Sequence, residues 1–268
     1  MKYITSGQNP VIKEIKALKK RKYREERKLY FVEGLRFVAQ AVEESRKIEK
    51  LLISEEFYIS EKAKTLLMEV KQCDCECFVL SNALFDEISE TENPQGVLAV
   101  MKAESHAFDA QAVKNGFLVI LDSIQDPGNL GTIIRTADAA GADGIIVSKG
   151  SADVYNPKVL RSTMGSIFHI PIYISDNIGD TIALLKTNGM KVYAAHLEGT
   201  LNYFDADLRS GAAVIIGNEA SGISDMAAGC ADGLLKIPMA GRAESLNASI
   251  AAGIIIYESL RQRMKGLI

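Results

Sequence analysis

The sequence lacks the long apolar segments and the signals that mark membrane and secreted proteins. Among its 268 residues no apolar run approaches the roughly 18 residues of a membrane span, and "FLVILDSI" and "GIIIYESL" are far shorter. The N-terminal stretch contains no apolar signal core, so we expect no secretory signal and a cytoplasmic location. With 47% hydrophobic residues, a chain of this length buries a sizeable core without disulfides. The composition suits one large globular domain or two modest ones.

Motifs for metal ions and nucleotide phosphates are also missing. Three of the four cysteines lie in "CDCEC", at Cys73, Cys75 and Cys77, but the sequence offers no second cysteine pair or histidine pair at zinc-site spacing. We therefore expect reduced thiols on a strand and no metal site. No GxGxxG or GxxxxGK[ST] loop follows a predicted strand, which argues against a dinucleotide or P-loop site. None of the three histidines belongs to an evident Ser–His–Asp arrangement.

Charge is unevenly distributed along the chain. The net charge of −3 argues against a general nucleic-acid binder, yet residues 13–28, "KEIKALKKRKYREERK", contain nine basic and three acidic residues. A compact basic segment on an acidic body can contact a phosphate backbone. The alternative is a solvated helix with Glu–Lys pairs. Lys19, Lys20, Arg21 and Lys22 are the candidate nucleic-acid contacts.

The pattern of apolar runs predicts an α/β protein with a boundary near residue 108. Residues 1–108 form a small α/β domain with helices over 10–28, after Gly34 and over 60–72, and strands over 50–54, 75–81 and 96–103. Within 109–268, continuous apolar strands alternate with helices over 129–141, 157–166, 178–188, 221–230 and 246–264. This alternation is typical of a mostly parallel sheet buried on both faces, and ligands bind at the carboxyl ends of its strands.

The first unusual strand end is "DPGNLGTIIRTADAAGA", residues 126–142. Asn129 is the predicted N-cap of the following helix, and Gly141 fits the position just after its end. Arg135 lies inside the helix among aliphatic neighbours. A surface guanidinium with a buried stem is the alternative to a functional arginine there.

The second is "AAVIIGNEASGIS", in which a buried strand ends in Gly217, Asn218 and Glu219. Gly217 permits close approach of a ligand to the backbone. Glu219 at the edge of an apolar strand needs a partner, and a cation such as Arg135 would supply one. A structural turn is the alternative.

The third is "LLKIPMAGRAESLNASIAAGIIIYE", residues 234–258. Pro238 ends the strand, and a loop with Ser245 and Asn247 precedes a long apolar helix. Loop backbone groups freed from pairing could bind an adenine edge, although an ordinary connection would look similar. Small residues on the helix, among them Gly253, would let another helix pack closely.

Taken together, the three stretches resemble the three motifs of the SpoU (TrmH) family of RNA 2′-O-ribose methyltransferases, in order and spacing. The resemblance covers about residues 117–264, and "NPKVLRSTMGSIFHIPI" is similar to the family's stretch between the first two motifs. More weakly, "FVEGLRFVAQAV" and "NPQGVLAV" resemble the substrate-binding domain often fused to these enzymes, which has an L30e-like α/β fold.

The resemblance implies a C-terminal deep trefoil knot of the SPOUT type, a homodimer through the C-terminal helix, and S-adenosylmethionine as cofactor. Knots are otherwise nearly absent from proteins. The implied cofactor contacts are Gly217, Asn218, Ile237, Met239 and Leu246.

The resemblance also makes Arg135 catalytic, beside the target ribose, with Asn129, Glu219, Ser245 and Asn247 holding it and the substrate oxygen. Arginine stays protonated at neutral pH, so it is an unusual base. It either clamps the neighbouring RNA phosphate or takes the hydroxyl proton after local deprotonation.

The implied substrate is RNA, recognised partly through its 2′-hydroxyl. The N-terminal domain and Arg161 are expected to contact RNA phosphates. A separate N-terminal domain favours ribosomal RNA over tRNA as substrate. A tRNA 2′-O-methyltransferase and a non-catalytic RNA-binding module of the same fold are the alternatives.

Overall fold

The computed structural model describes residues 1–71, 74–104 and 107–265, which fall into two compact units. The N-terminal unit consists of Met1–Glu104 together with Tyr155–Phe168, and the C-terminal unit consists of Ser105–Val154 and His169–Ile268. The segment Tyr155–Phe168 therefore belongs to the N-terminal unit although it comes from the second half of the chain.

The elements of the first half are, in chain order, β1 (Lys2–Ile4), α1 (Pro10–Leu18), α2 (Arg21–Arg27), β2 (Leu29–Glu33), α3 (Leu35–Glu43), β3 (Ile48–Ser54), α4 (Glu55–Tyr58), α5 (Glu61–Val70), β4 (Glu76–Leu80), α6 (Asn82–Ile88) and β5 (Val97–Lys102). Their five strands form one mixed sheet in the order β1-β4-β3-β5-β2. Strands β1, β4 and β3 run parallel, and β5 is antiparallel to both β3 and β2. The sheet has an apolar core on each face.

The elements of the second half are β6 (Phe117–Asp122), α7 (Pro127–Ala139), β7 (Gly144–Ser148), α8 (Pro157–Thr163), a short 3₁₀ helix (Ser166–Phe168), β8 (Ile172–Ser175), α9 (Ile178–Thr187), β9 (Lys191–Ala195), β10 (Leu201–Asn202), β11 (Ala212–Gly217), α10 (Asp225–Cys230), β12 (Gly233–Lys236) and α11 (Ala248–Lys265). Their seven strands form a sheet in the order β10-β12-β9-β11-β6-β7-β8. Every pair in it is parallel. The predicted α/β fold with a mostly parallel sheet is confirmed; the knot concerns chain threading and stays a prediction.

The helix predicted over 10–28 is wrong, because the chain forms two helices there. Helix α1 ends at Leu18, and Lys20 adopts an extended backbone before α2 begins. Arg24 is buried, and its guanidinium donates hydrogen bonds to the backbone oxygens of Leu18 and Lys19 at 2.7 and 2.9 Å. Carbonyls at a helix end have no partner within the helix, so this arginine stabilises the break.

Helices α7 and α11 pack side by side and are joined near both ends. At their first turns Asn247 donates to Asn129. At the other end Arg263 donates to the backbone oxygens of Ala140 and Gly141 at 2.8 and 2.9 Å. The two helices therefore run parallel. The predicted C-terminal glycine of α7 is confirmed, since Gly141 has φ of 63° and a left-handed backbone favours glycine.

None of the helices in the described residues has both the length and the hydropathy of a membrane span.

Candidate active site

Strands β6 and β11 bring the first two sequence motifs together. They are parallel neighbours, and Gly217 at the end of β11 lies opposite Asp122 at the end of β6. The loops that follow these strands therefore meet at one edge of the sheet, as the carboxyl ends of parallel strands do. The long helix of the third motif starts beside them, because α11 packs on α7.

The sequence predicts Asn129 as the N-cap of α7, and this prediction is wrong. The cap is Asp126, whose side chain accepts a hydrogen bond from the Asn129 backbone N–H at 2.8 Å, and Pro127 occupies the first helical position. Aspartate is a strong N-cap and proline is favoured directly after it, so both residues fit their places. Asn129 thereby sits in the first turn with its side chain buried.

The side chain of Asn129 is the middle member of a chain of three polar groups. Its Nδ2 donates to Glu219 Oε1 at 2.9 Å, and its Oδ1 accepts from Asn247 Nδ2 at 3.0 Å. The Oδ1 of Asn247 accepts in turn from the Ser249 backbone N–H at 2.9 Å. A carboxylate only accepts hydrogen bonds, so Glu219 fixes the orientation of both amides. We call Glu219, Asn129 and Asn247 the amide–carboxylate chain.

Glu219 is held as a carboxylate by its donors. Burial raises its pKa, but hydrogen bonds from Asn129 Nδ2 and from the backbone N–H groups of Gln125 and Asp126 outweigh burial and lower the pKa below its usual value. The group is therefore ionised at neutral pH. The stability it contributes is present at neutral pH and is lost as the pH falls through the lowered pKa.

The predicted pairing of Glu219 with Arg135 is wrong for the described chain. Glu219 takes its hydrogen bonds from Asn129 and the backbone, whereas Arg135 is exposed. Arg135 lies six residues after Asn129, which places it about 9 Å further along α7 and on a different face of the helix. No residue in the described part of the chain forms an ion pair or hydrogen bond with its guanidinium. The group is therefore free to bind an external anion.

A cavity of about 460 Å³ lies beside the amide–carboxylate chain, between the loops after β9, β11 and β12 and the start of α11. All five residues predicted to contact the cofactor line it: Gly217, Asn218, Ile237, Met239 and Leu246. Ser245 also lines it, but Ser245 is exposed and forms no hydrogen bond with the described residues of the amide–carboxylate chain. Sequence reasoning missed the lining residues after β9, from Ala195 to Glu198. They follow an apolar strand, so the rule that ligands bind at strand ends points to them.

Packing within the protein by itself requires glycine at position 217. A Cβ atom at this position would overlap the backbone of Gly222 and Ile223. Asn218 shapes the same turn: its Oδ1 accepts from the N–H groups of Ala220 and Ser221 at 2.8 and 3.0 Å. The tight turn forms one wall of the cavity, so both residues act on ligand binding through its shape.

The cavity suits a cationic ligand that carries an adenine. Its lining includes two carboxylates, Glu198 and Glu219, and neither lysine nor arginine. Ile216, Leu235 and Leu246 supply apolar surface, and residues 237–246 make no backbone–backbone hydrogen bond with any described residue. Their free N–H and C=O groups can form hydrogen bonds with the edge of a heterocycle. The cavity volume lies within the range of about 300–1,000 Å³ usual for ligand sites. S-adenosylmethionine, with its sulfonium charge, fits this donor set.

The basic residues predicted to bind RNA are largely paired with the protein's own carboxylates. Lys19 pairs with Glu90 at 2.9 Å, Arg21 with Glu25 at 2.7 Å, and Lys22 with Glu26 at 3.8 Å. Lys20 is exposed and has no ion pair within the described ranges. Arg161 is exposed on α8, which belongs to the N-terminal unit. The alternative of a solvated helix face with Glu–Lys pairs therefore describes most of this segment.

The Sγ atoms of Cys75 and Cys77 lie 4.0 Å apart, and Cys73 lies outside the described residues. The hydrogen bond with Cys75 lowers the pKa of Cys77 to about 7, although burial raises it. Among the described residues no group of three or more histidine, cysteine, aspartate or glutamate side chains is arranged to hold a metal ion.

Comparison with known proteins identifies the class of this molecule. The model of the SpoU rRNA methylase family matches residues 116–257, which includes the amide–carboxylate chain and the cavity. The model of the MRM3-like substrate-binding domain matches residues 9–99. The chain is thus a methyltransferase with an N-terminal substrate-binding domain.

Individual relatives agree along almost the whole chain. The 23S rRNA (guanosine(2553)-2′-O)-methyltransferase RlmP of Bacillus subtilis is 35% identical over 257 residues, which cover 96% of this chain and 98% of that protein. The AdoMet-bound rRNA methyltransferase of Sinorhizobium meliloti superposes with a TM-score of 0.87 at 34% identity, over 97% of both chains. AviRb of Streptomyces viridochromogenes, solved with AdoMet, gives a TM-score of 0.88 at 34% identity, over 96% of this chain and 99% of that one. The chain belongs to the SpoU rRNA methylase family.

Proposed function

We propose that this protein transfers a methyl group from S-adenosylmethionine to a ribose 2′-hydroxyl of ribosomal RNA. The observation that carries the proposal is the amide–carboxylate chain beside a cavity that suits a cationic cofactor. The names of the relatives support the substrate, since RlmP acts on a guanosine of 23S rRNA and a Streptomyces viridochromogenes relative acts on a uridine of 23S rRNA. Work on ribosomal RNA would place the enzyme in the cytoplasm with the ribosome.

The residues of this chain supply binding and orientation. Bound S-adenosylmethionine would provide an electrophilic methyl group on a positively charged sulfur. Gly217, Asn218, Ile237, Met239 and Leu246 would enclose it. Glu219, ionised at neutral pH, favours the positive charge at that end of the cavity.

Asn129 and Asn247 would position the ribose. Each amide uses one hydrogen of its Nδ2 within the amide–carboxylate chain, which leaves the second for the substrate oxygen. Because their orientation is fixed through Glu219, little ordering is needed when the RNA binds. Ser245 at the cavity mouth is a further candidate for contact with the substrate oxygen.

Arg135 would clamp the RNA phosphate next to the target ribose. Its guanidinium is exposed and unpaired within the described chain, which fits bidentate binding of a phosphate. A phosphate clamp uses the exposed face of the guanidinium directly, so this position favours the clamp over the role of base. The hydroxyl proton would then pass to solvent, and the methyl group would move from the cofactor sulfur to the 2′-oxygen, leaving S-adenosylhomocysteine.

The active enzyme would be a homodimer that uses α11. Ile250, Tyr257 and Met264 are 55%, 50% and 55% exposed and recur at seven-residue spacing, which places them on one face of the helix. Gly253 lies beside this face and allows close approach of a second helix. Exposed apolar stripes of this kind mark protein–protein contacts.

The decisive experiment uses purified protein, methyl-labelled S-adenosylmethionine, and unmodified rRNA and tRNA. We expect label in rRNA and one linkage resistant to alkaline hydrolysis, because a 2′-O-methyl group blocks cleavage there. Label in tRNA alone would preserve the chemistry and overturn the substrate. Cofactor binding without transfer to either RNA would favour the non-catalytic module.

Arg135→Lys tests the clamp in the same assay. Lysine keeps the charge and loses the bidentate fork, so we expect kcat to fall by about 100-fold while cofactor affinity stays within twofold. Arg209→Lys, an exposed arginine paired only with the nearby Asp207, is the matched control. Turnover near wild type in Arg135→Lys would remove Arg135 from the site.

A further inference from the structure

The N-terminal unit contains a second large cavity, which the proposed chemistry does not use. It has a volume of about 720 Å³ and lies where α4, α5 and the start of β4 meet the N-terminus. Its lining residues are Met1, Tyr58, Ile59, Lys64, Leu67, Met68, Val70, Lys71, Cys75 and Cys77. We call it the α5 cavity. A volume of this size holds a nucleotide-sized ligand, since ligand sites range over about 300–1,000 Å³.

Several apolar side chains in the wall of the α5 cavity are exposed to solvent. Ile59 is 79% exposed and Met68 is 67% exposed, among the highest values for large hydrophobic residues in the described chain. Tyr3, 63% exposed, lies against the edge of Tyr58 with ring centroids 6.5 Å apart. A clustered apolar surface of this kind marks an interaction site. Aromatic and apolar side chains are also the surfaces on which unstacked RNA bases rest.

The charged residues of the α5 cavity are all basic. Lys64 and Lys71 line it, and its described lining residues include no aspartate or glutamate. Lys71 forms no ion pair within the described ranges. Lys64 pairs only with the exposed Glu61, and surface pairs of that kind contribute little. Lys71 therefore offers positive charge that no carboxylate of the described residues neutralises, whereas Lys64 is paired much as Arg21 and Lys22 are.

From these observations we propose that the α5 cavity is an RNA-contact site that takes an unstacked base of the substrate. Tyr58 and Met68 contact the base, and Lys64 and Lys71 contact the flanking phosphates. The inference rests on the proposed rRNA substrate, and the family match to a substrate-binding domain over residues 9–99 supports RNA over a protein partner. Lysine on an apolar rim without any carboxylate is complementary to a polyanion with flat bases.

The thiol of Cys77 provides a direct test of occupancy in the full-length protein. Cys77 lines the cavity, and its lowered pKa of about 7 favours the reactive thiolate, so we expect iodoacetamide to alkylate it. We expect saturating unmodified rRNA to slow alkylation of Cys77 at least fivefold, as read by peptide mass spectrometry. Cys230, in the C-terminal unit, reports any general effect of RNA on the reagent. Equal rates at Cys77 with and without bound rRNA would overturn the site.

Substitutions at the rim separate this site from the chemistry. Lys71→Gln should raise KM for rRNA about fivefold and reduce the slope of log affinity against log salt by about 0.7 to 0.9, as loss of one phosphate contact does. The values of kcat and cofactor affinity should stay within twofold. Lys62→Gln, also exposed on α5 but absent from the lining, is the matched control.

The outcomes distinguish this inference from the proposed function. If the protein methylates rRNA but Lys71→Gln has no effect and rRNA does not protect Cys77, the RNA site at the α5 cavity is refuted and the proposed activity stands. Protection of Cys77 by a ribosomal protein, but not by naked rRNA, would assign the cavity to a protein partner. Protection by rRNA without any methyl transfer would support the cavity and refute the activity.

Discussion

The cofactor cavity and the α5 cavity differ in the sign of their charge more than in their size. The cavity of about 460 Å³ in the C-terminal unit has two carboxylates and neither lysine nor arginine, and the α5 cavity of about 720 Å³ has two lysines and no carboxylate among its described lining residues. A cofactor with a positive sulfur fits the first, and a polyanion fits the second. The charge of the lining thus separates two ligand classes that volume alone leaves undistinguished.

The cavities also differ in how their polar side chains are held. In the C-terminal unit, Glu219, Asn129 and Asn247 bond to one another, so a change in one alters the other two. In the α5 cavity, Lys64 and Lys71 act separately at an exposed rim. We therefore expect substitutions in the first cavity to have large, coupled effects on activity. Substitutions in the α5 cavity should have small, additive effects on RNA binding.

The largest expected effect is that of Asn129→Asp. The substitution removes the donor to Glu219 and places a second carboxylate about 2.9 Å from it, so the two like charges repel. We expect kcat for methyl transfer to fall by about 100-fold, because small misplacements in a site have effects of that order.

A double substitution tests whether the coupling is the cause. Asn129→Asp with Glu219→Gln reverses donor and acceptor, so at least a tenfold recovery of kcat is expected. Asn202→Asp is the matched control, because Asn202 donates to Asp205 at 2.9 Å away from the site. Unchanged kcat in Asn129→Asp would show that the amide–carboxylate chain takes no part in turnover.

The second-largest effect is expected from Gly217→Ala, which tests the wall of the cofactor cavity. The new methyl group meets the backbone of Gly222 and Ile223, so the turn must shift. Cofactor affinity, measured by calorimetry, should fall about tenfold, and the free energy of unfolding by about 1–3 kcal/mol. Gly229→Ala is the control, since a Cβ there meets nothing within 4 Å. Wild-type affinity and stability in Gly217→Ala would contradict the packing account.

A smaller effect is expected from Glu198→Gln, which tests the charge of the same cavity. Affinity for S-adenosylmethionine should fall about threefold to fivefold, in line with roughly 1 kcal/mol for a charge pair near water. Affinity for S-adenosylhomocysteine, which is neutral at sulfur, should stay within twofold. Glu244→Gln, in the adjacent loop but not in the lining, is the control. Equal losses for both ligands would show that shape, not charge, selects the cofactor.

The smallest effects are expected in the basic segment. Lys22→Gln should change rRNA affinity by less than twofold, because Lys22 already pairs with Glu26. Lys20→Gln should have the larger effect of the two, since Lys20 has no ion pair within the described ranges. Filter binding at several salt concentrations measures both. A large effect of Lys22 would return the main RNA contact to this segment.

Sequence reasoning succeeded where local chemistry decides the structure. Continuous apolar runs correctly predict the parallel sheet, and Gly141 correctly predicts the end of α7. The N-cap was misassigned because Asp126 and Asn129 are both good caps, although Pro127 favours Asp126. The residues predicted to contact the cofactor line one cavity, because the loops after parallel strands meet at one edge of the sheet.

The errors concern side-chain contacts that the pattern of the sequence does not specify. The break after Leu18 depends on the buried Arg24, and residues 11–28 contain no glycine or proline to signal it. Glu219 was paired with Arg135 because it needed a donor, but Asn129 and two backbone N–H groups supply that need. Such choices depend on three-dimensional proximity, which spacing along the sequence does not encode.

The parallel packing of α7 and α11 has an electrostatic consequence for the reaction. Both helices begin at the amide–carboxylate chain, so the positive ends of two macrodipoles, each equivalent to roughly half an elementary charge, converge there. An oxygen that gains negative charge as its proton departs is stabilised by this field, which needs no titrating side chain. Arg263, far along α11, thereby helps keep both dipoles aimed at one point.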